Sequence, residues 1–99
     1  MVLDQLPDLQ PGSGETQSAE VAVNDDVLVK VFALGSGASV PPHDHPTSTN
    51  VFHVLGGAPT VIRDDEEERV GAPGVVVNER GAVHGLRNDA DDVAVVTAS

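Results

Sequence analysis

Pro41-Pro42-His43-Asp44-His45-Pro46-Thr47-Ser48-Thr49-Asn50-Val51-Phe52-His53-Val54-Leu55-Gly56-Gly57 holds three of the four histidines in this 99-residue chain. His43 and His45 stand two residues apart, in a segment that its prolines bias toward extended backbone. Residues i and i+2 of a strand point to one face, so the spacing predicts two imidazoles converging on one point. Neutral imidazole offers a lone pair and is the commonest protein ligand for metals near neutral pH. The fourth histidine, His84, lies in Gly81-Ala82-Val83-His84-Gly85-Leu86-Arg87-Asn88. A fold that brings it up to the pair completes a three-histidine centre.

Working outward, the chain reads as short strands. Ser18 to Asn24 alternates in polarity, and Val27 to Leu34 is apolar except at Lys30. Further strands are expected from Asn50 to Leu55, Pro59 to Arg63, Val75 to Asn78, around His84, and from Val93 to Thr97. Turns rich in Gly, Pro, Asn and Asp separate them, and valine dominates the apolar residues, which favours strands through its β-branching. About eight strands with no convincing helix predict an all-β barrel or sandwich. Asp64 to Glu68 reads as a solvated hairpin tip, because consecutive acidic side chains do not converge on one cation. Residues 1–17, with Leu3, Leu6 and Leu9 interrupted by Pro7, Pro11, Gly12 and Gly14, read as an N-terminal arm. Residues 18–99 then form a single domain.

Composition excludes several functions. Sixteen acidic residues against one lysine and four arginines give a net charge of −11. That balance repels nucleic acid and disfavours anionic membrane surfaces. It resembles the surfaces of proteins from salt-accumulating halophiles, where counterions screen self-repulsion. The absence of cysteine rules out disulfides, thiolate metal sites and a cysteine nucleophile. No basic, apolar leader opens the sequence and no apolar run reaches membrane-spanning length, so a cytoplasmic protein is expected.

These motifs resemble those of the cupin family in its small single-domain form. The family's first motif, G-x5-H-x-H-x3/4-E-x6-G, is matched in every spacing by Gly37, His43, His45, Asn50 and Gly57, with Asn50 replacing the usual acid. The second, G-x5-P-x-G-x2-H-x3-N, is matched by Gly81, His84 and Asn88. Glu79 replaces its proline, and Gly74 matches its first glycine only with one residue missing. The resemblance spans roughly residues 20–97. It implies a double-stranded β-helix, or jelly-roll barrel, with His43, His45 and His84 binding one divalent ion: Fe, Zn, Ni, Cu or Mn. It also implies a homodimer and a small-molecule ligand.

Asn50 is the informative departure, because a neutral amide is a weak ligand or a substrate contact rather than a carboxylate ligand. A three-histidine centre of this kind is similar to that of thiol and diketone dioxygenases, and equally to a site that has lost catalysis. By strand parity Phe52 and Val54 share the inner face with Asn50 and should line the cavity, together with Val75 or Val76. His53 should point away from it. Asp44 also points away but can orient a neighbouring imidazole by accepting its N–H. Arg80 and Arg87 flank His84 and offer partners to a carboxylate substrate, although surface pairing with the many acids is the commoner fate of such residues and is expected here. Two functions remain open: a metal-dependent oxygenase or lyase, and a module that binds or senses a small ligand without turnover.

Overall fold

In the structure, a computed structural model, residues 6–99 are described, so the first five residues of the expected arm lie outside the described part. Nine strands follow one another: β1 (Thr16–Val23), β2 (Leu28–Leu34), β3 (Ser39–His43), β4 (Asn50–Gly56), β5 (Thr60–Arg63), β6 (Glu66–Arg69), β7 (Gly74–Asn78), β8 (His84–Arg87) and β9 (Ala94–Ala98). They form a five-stranded sheet, ordered β1-β2-β9-β4-β7, and a four-stranded sheet, ordered β3-β8-β5-β6. All pairings are antiparallel. No helix occurs among the described residues. This is the all-β jelly roll that the sequence predicts.

The core lies between the sheets. Leu34, Phe52, Val54, Ala94 and Val96 of the larger sheet meet Val61 and Leu86 of the smaller, with Ala38 beside them. Alternation along β4 explains the sorting: Asn50, Phe52 and Val54 are buried, while His53 and Leu55 are exposed. With only two phenylalanines, the interior is built from branched aliphatic side chains that suit a pleated surface. The outer face of the larger sheet is also apolar, with Leu55, Val75 and Val77 about half exposed.

The acidic run differs from its expected form. Only Asp64 and Asp65 make the turn, with Asp64 at φ 53°, while Glu66 to Glu68 enter β6. A wholly exposed, charged edge strand discourages pairing with other chains. The turn also carries tertiary load: the Asp64 amide donates to the Val83 carbonyl at 2.7 Å, and the Val83 amide donates to Asp64 Oδ1 at 3.1 Å. The loop entering His84 is thereby clamped to the hairpin.

At the other end of the chain, β1 starts at Thr16, two residues before the expected boundary. The preceding residues are tied to β2 and its turn, through Gly14 N–H to the Ser36 carbonyl (2.7 Å) and Gly35 N–H to the Glu15 carbonyl (2.9 Å).

Candidate metal centre

His43 closes β3 and His84 opens β8, and the two are direct cross-strand partners. Regular pairing from Val40↔Leu86 would instead set residue 42 opposite His84. Pro41 and Pro42 together oppose Gly85, so β3 carries one extra residue. This β-bulge re-aims the strand and turns His43 toward His84. Two prolines are tolerated there because β3 is an edge strand and a bulge interrupts its ladder. Gly85 is required opposite them. A Cβ at this position would lie 2.7 Å from the Val40 carbonyl oxygen and 2.9 Å from Pro42 N.

His45 reaches the site differently from the sequence expectation. The strand ends at His43, so His45 stands in the following loop rather than two residues along a strand. Its carbonyl accepts the Gly81 N–H at 3.1 Å. Gly81 has φ +84°, a conformation natural to glycine, and this bond links the two motif segments directly.

The three rings cluster with centroids 4.9 Å (His43–His45), 4.8 Å (His43–His84) and 5.3 Å (His45–His84) apart. One nitrogen from each lies within 4.8 Å of the others. A point equidistant from three such atoms is at most about 2.8 Å from each, so closure to a metal–nitrogen bond of about 2.0–2.1 Å needs only sub-ångström side-chain adjustment.

Tautomers are set by the backbone. Nδ1 of His84 sits 3.0 Å from the Ala82 carbonyl, and Nδ1 of His43 sits 3.1 Å from the Pro41 carbonyl. A carbonyl only accepts, so each Nδ1 carries the proton and each Nε2 presents a lone pair. Nε2 of His84 is buried with no hydrogen-bond partner. Burial holds the His84 pKa below its ordinary value, although the Ala82 carbonyl opposes that shift. A neutral, desolvated imidazole with an unpartnered lone pair fits a metal ligand.

His43 and His45 line a cavity of about 510 Å³, and buried His84 stands against their rings without forming part of its wall. Asn50 and Phe52 line it, and the Phe52 ring stands edge-on to His84 at 5.6 Å. Val54, by contrast, is packed in the core and does not line this cavity. Val76 packs against the core and Val75 is exposed, so neither forms part of the cavity wall. His53 is exposed on the opposite face of β4.

Asn50 is buried, and its Oδ1 accepts Asn78 Nδ2 at 3.1 Å. That amide oxygen therefore already has a protein donor. Asp44 is exposed, and the His43 Nδ1 proton goes to Pro41 rather than to it. Arg87 forms ion pairs with Glu67 (2.7 Å) and Asp89 (2.8 Å), the surface pairing expected of it.

Asn88, the last residue of the second motif, lies outside the site. Its Nδ2 donates to the carbonyls of Leu34 (2.9 Å) and Asp92 (2.8 Å), and its Oδ1 accepts the Ala90 N–H (3.1 Å). Sequence reasoning also passed over Lys30, which lines the cavity. Its parity with Leu28 and Phe32 is the signal that places it there.

Comparison with known proteins agrees with this geometry. The chain aligns over 25% identical residues with a protein from Thermus thermophilus, covering 85% of this chain and 81% of that one, with a TM-score of 0.80. A protein of Thermotoga maritima described as a predicted oxalate decarboxylase gives 20% identity, 86% and 78% coverage, and a TM-score of 0.80. KdgF from Halomonas sp. gives 24% identity, 94% and 84% coverage, and a TM-score of 0.71. No curated protein matches the sequence. The family described as "Cupin domain" matches residues 30–99, which contain both histidine motifs. This chain belongs to the cupin family.

Proposed function

We propose that this protein is a metal-binding small cupin that acts on a small organic molecule in the manner of a non-haem, metal-dependent dioxygenase. One observation carries the reading: three imidazoles converge beside a cavity that two of them, His43 and His45, line, and the buried Nε2 of His84 has no protein partner. His43, His45 and His84 would hold the ion. A bound Fe, Zn, Ni, Cu or Mn ion would supply Lewis-acid or redox chemistry there. The chain's own residues do the positioning. Ala82 and Pro41 fix the imidazole tautomers, Gly85 and the β3 bulge aim His43, and Phe52 shields one side of His84 from water.

A second reading, a module that binds or senses a ligand without turnover, is favoured by Asn50. Its amide replaces the family's usual carboxylate, and its oxygen is engaged by Asn78. The two readings separate by metal analysis of untagged protein, followed by oxygen uptake with candidate thiols, diketones and flavonols. A stoichiometric metal with substrate-dependent uptake supports the enzyme; metal without uptake supports the binding module. Metal-free protein that stays folded, with no gain of metal by the parent chain over His84→Ala, overturns both.

The same proposal takes the protein to be a cytoplasmic homodimer. The lack of cysteine and the half-exposed Leu55, Val75 and Val77 on the outer sheet support it. No helix among the described residues is long and apolar enough to cross a membrane.

A further inference from the structure

We propose that the cavity takes a small organic carboxylate whose charged end is held by Lys30; this rests on the reading of the triad cavity as a small-molecule site. Lys30 is the only lysine in a chain with sixteen acidic residues. It stands half-buried in β2, on the face it shares with Phe32, and lines the cavity. Among the described residues it forms neither a salt bridge nor a side-chain hydrogen bond. Of the arginines, Arg87 is paired with two acids and Arg63 and Arg69 donate to the carbonyls of Val77 and Ala58; Arg80 is also without such a partner among the described residues, but it is exposed and does not line the cavity.

The cavity mixes apolar side chains (Val27, Leu28, Phe32, Ala98) with polar ones, and an ammonium at its wall with no carboxylate in ion-pair distance is free to take an anionic ligand. Asp26 also lines the cavity and Glu20 is the direct cross-strand partner of Lys30 on β1, yet neither is within ion-pair distance. The ligand would complete the pair.

Register gives the ligand its shape. Lys30 pairs with Ala98, and Ala98 pairs with Phe52, so the three form one row across the larger sheet. Two inter-strand steps put Lys30 about 10 Å from Phe52 along that row. Phe52 in turn touches His84. A carboxylate seated on Lys30 therefore projects a short apolar body over Phe32 and Ala98 toward the three histidines.

A single lysine makes the test direct, because its ε-methylene NMR signal needs no assignment. Hexanoate is titrated into zinc-loaded and metal-free protein, with 1-hexanol as the uncharged control. Hexanoate should shift the Lys30 ε-methylene and the Ala98 methyl together in both forms. Lys30→Met should weaken hexanoate binding about tenfold or more and leave 1-hexanol unaffected, while Lys30→Arg restores it. An unmoved Lys30 signal, or equal hexanoate affinity in Lys30→Met, overturns the assignment. Binding that needs zinc and ignores Lys30 does so too, by seating the carboxylate on the metal. Zinc retention is measured in parallel. Protein that fails to hold zinc yet couples hexanoate to Lys30 overturns the metal reading and supports the carboxylate assignment.

Discussion

Gly85→Ala tests how the fold makes the site. The added methyl would stand 2.7 Å from the Val40 carbonyl oxygen, 2.9 Å from Pro42 N and 3.0 Å from Pro42 Cα. All three atoms are backbone, so no side-chain rotation relieves the overlap. Ordinary contact starts near 3.4 Å, which asks β3 to retreat by about 0.7 Å. Overpacking of this kind costs about 1–3 kcal/mol. For a domain of this size that lowers Tm by roughly 4–8 °C per kcal/mol. Because His43 rides on the displaced strand, the triad should also open, and loss of such supporting geometry weakens metal affinity about 10–100-fold. Circular-dichroism melts of metal-free protein read the first effect, and zinc competition against a chromophoric chelator reads the second. A Tm within about 1 °C of the parent would refute the packing argument. A lowered Tm with unchanged zinc affinity would refute the role of the bulge in aiming His43.

The remaining predictions concern single groups and the charged surface. The pKa of buried His84 is depressed, so as pH falls below its ordinary 6.5 the unfolded chain takes up a proton that the folded ring refuses. Stability of metal-free protein should therefore be flat above that pH and decline below it, and His84→Gln should flatten the decline in urea titrations at several pH values. Asn88→Ala removes three hydrogen bonds, one buried and two partly buried, which should cost about 2–4 kcal/mol in urea unfolding while zinc affinity stays within a few-fold. With a net charge of −11, Tm should rise between low and molar KCl; a flat profile would contradict the self-repulsion argument.

Much of the architecture was legible because it follows from local patterns. Alternation along β4 separated buried Asn50, Phe52 and Val54 from exposed His53 before any contact was known. The motif glycines Gly37, Gly57 and Gly81 all take positive φ, which is why they stand at fixed positions between strands. Parity failed where it was extended too far. Val54 shares the face of Phe52 but lies deeper between the sheets, and depth along a barrel is set by packing rather than by period. His45 was expected to converge with His43 through strand geometry, yet it does so from a loop held by the Gly81 amide.

By itself, the sequence determined the class of fold, the likeness to cupins and the identity of the three imidazoles, because composition, spacing and period are properties of neighbours along the chain. Only the tertiary structure decided how those imidazoles meet. The β3 bulge, the room left by Gly85, the Asp64 clamp and the desolvated Nε2 of His84 all arise between residues far apart in sequence. The same holds for Lys30, which interrupts an apolar strand in the sequence and lines the cavity shared with His43 and His45 in the fold. Its meaning depends on which groups stand opposite it, and that is fixed by strand pairing.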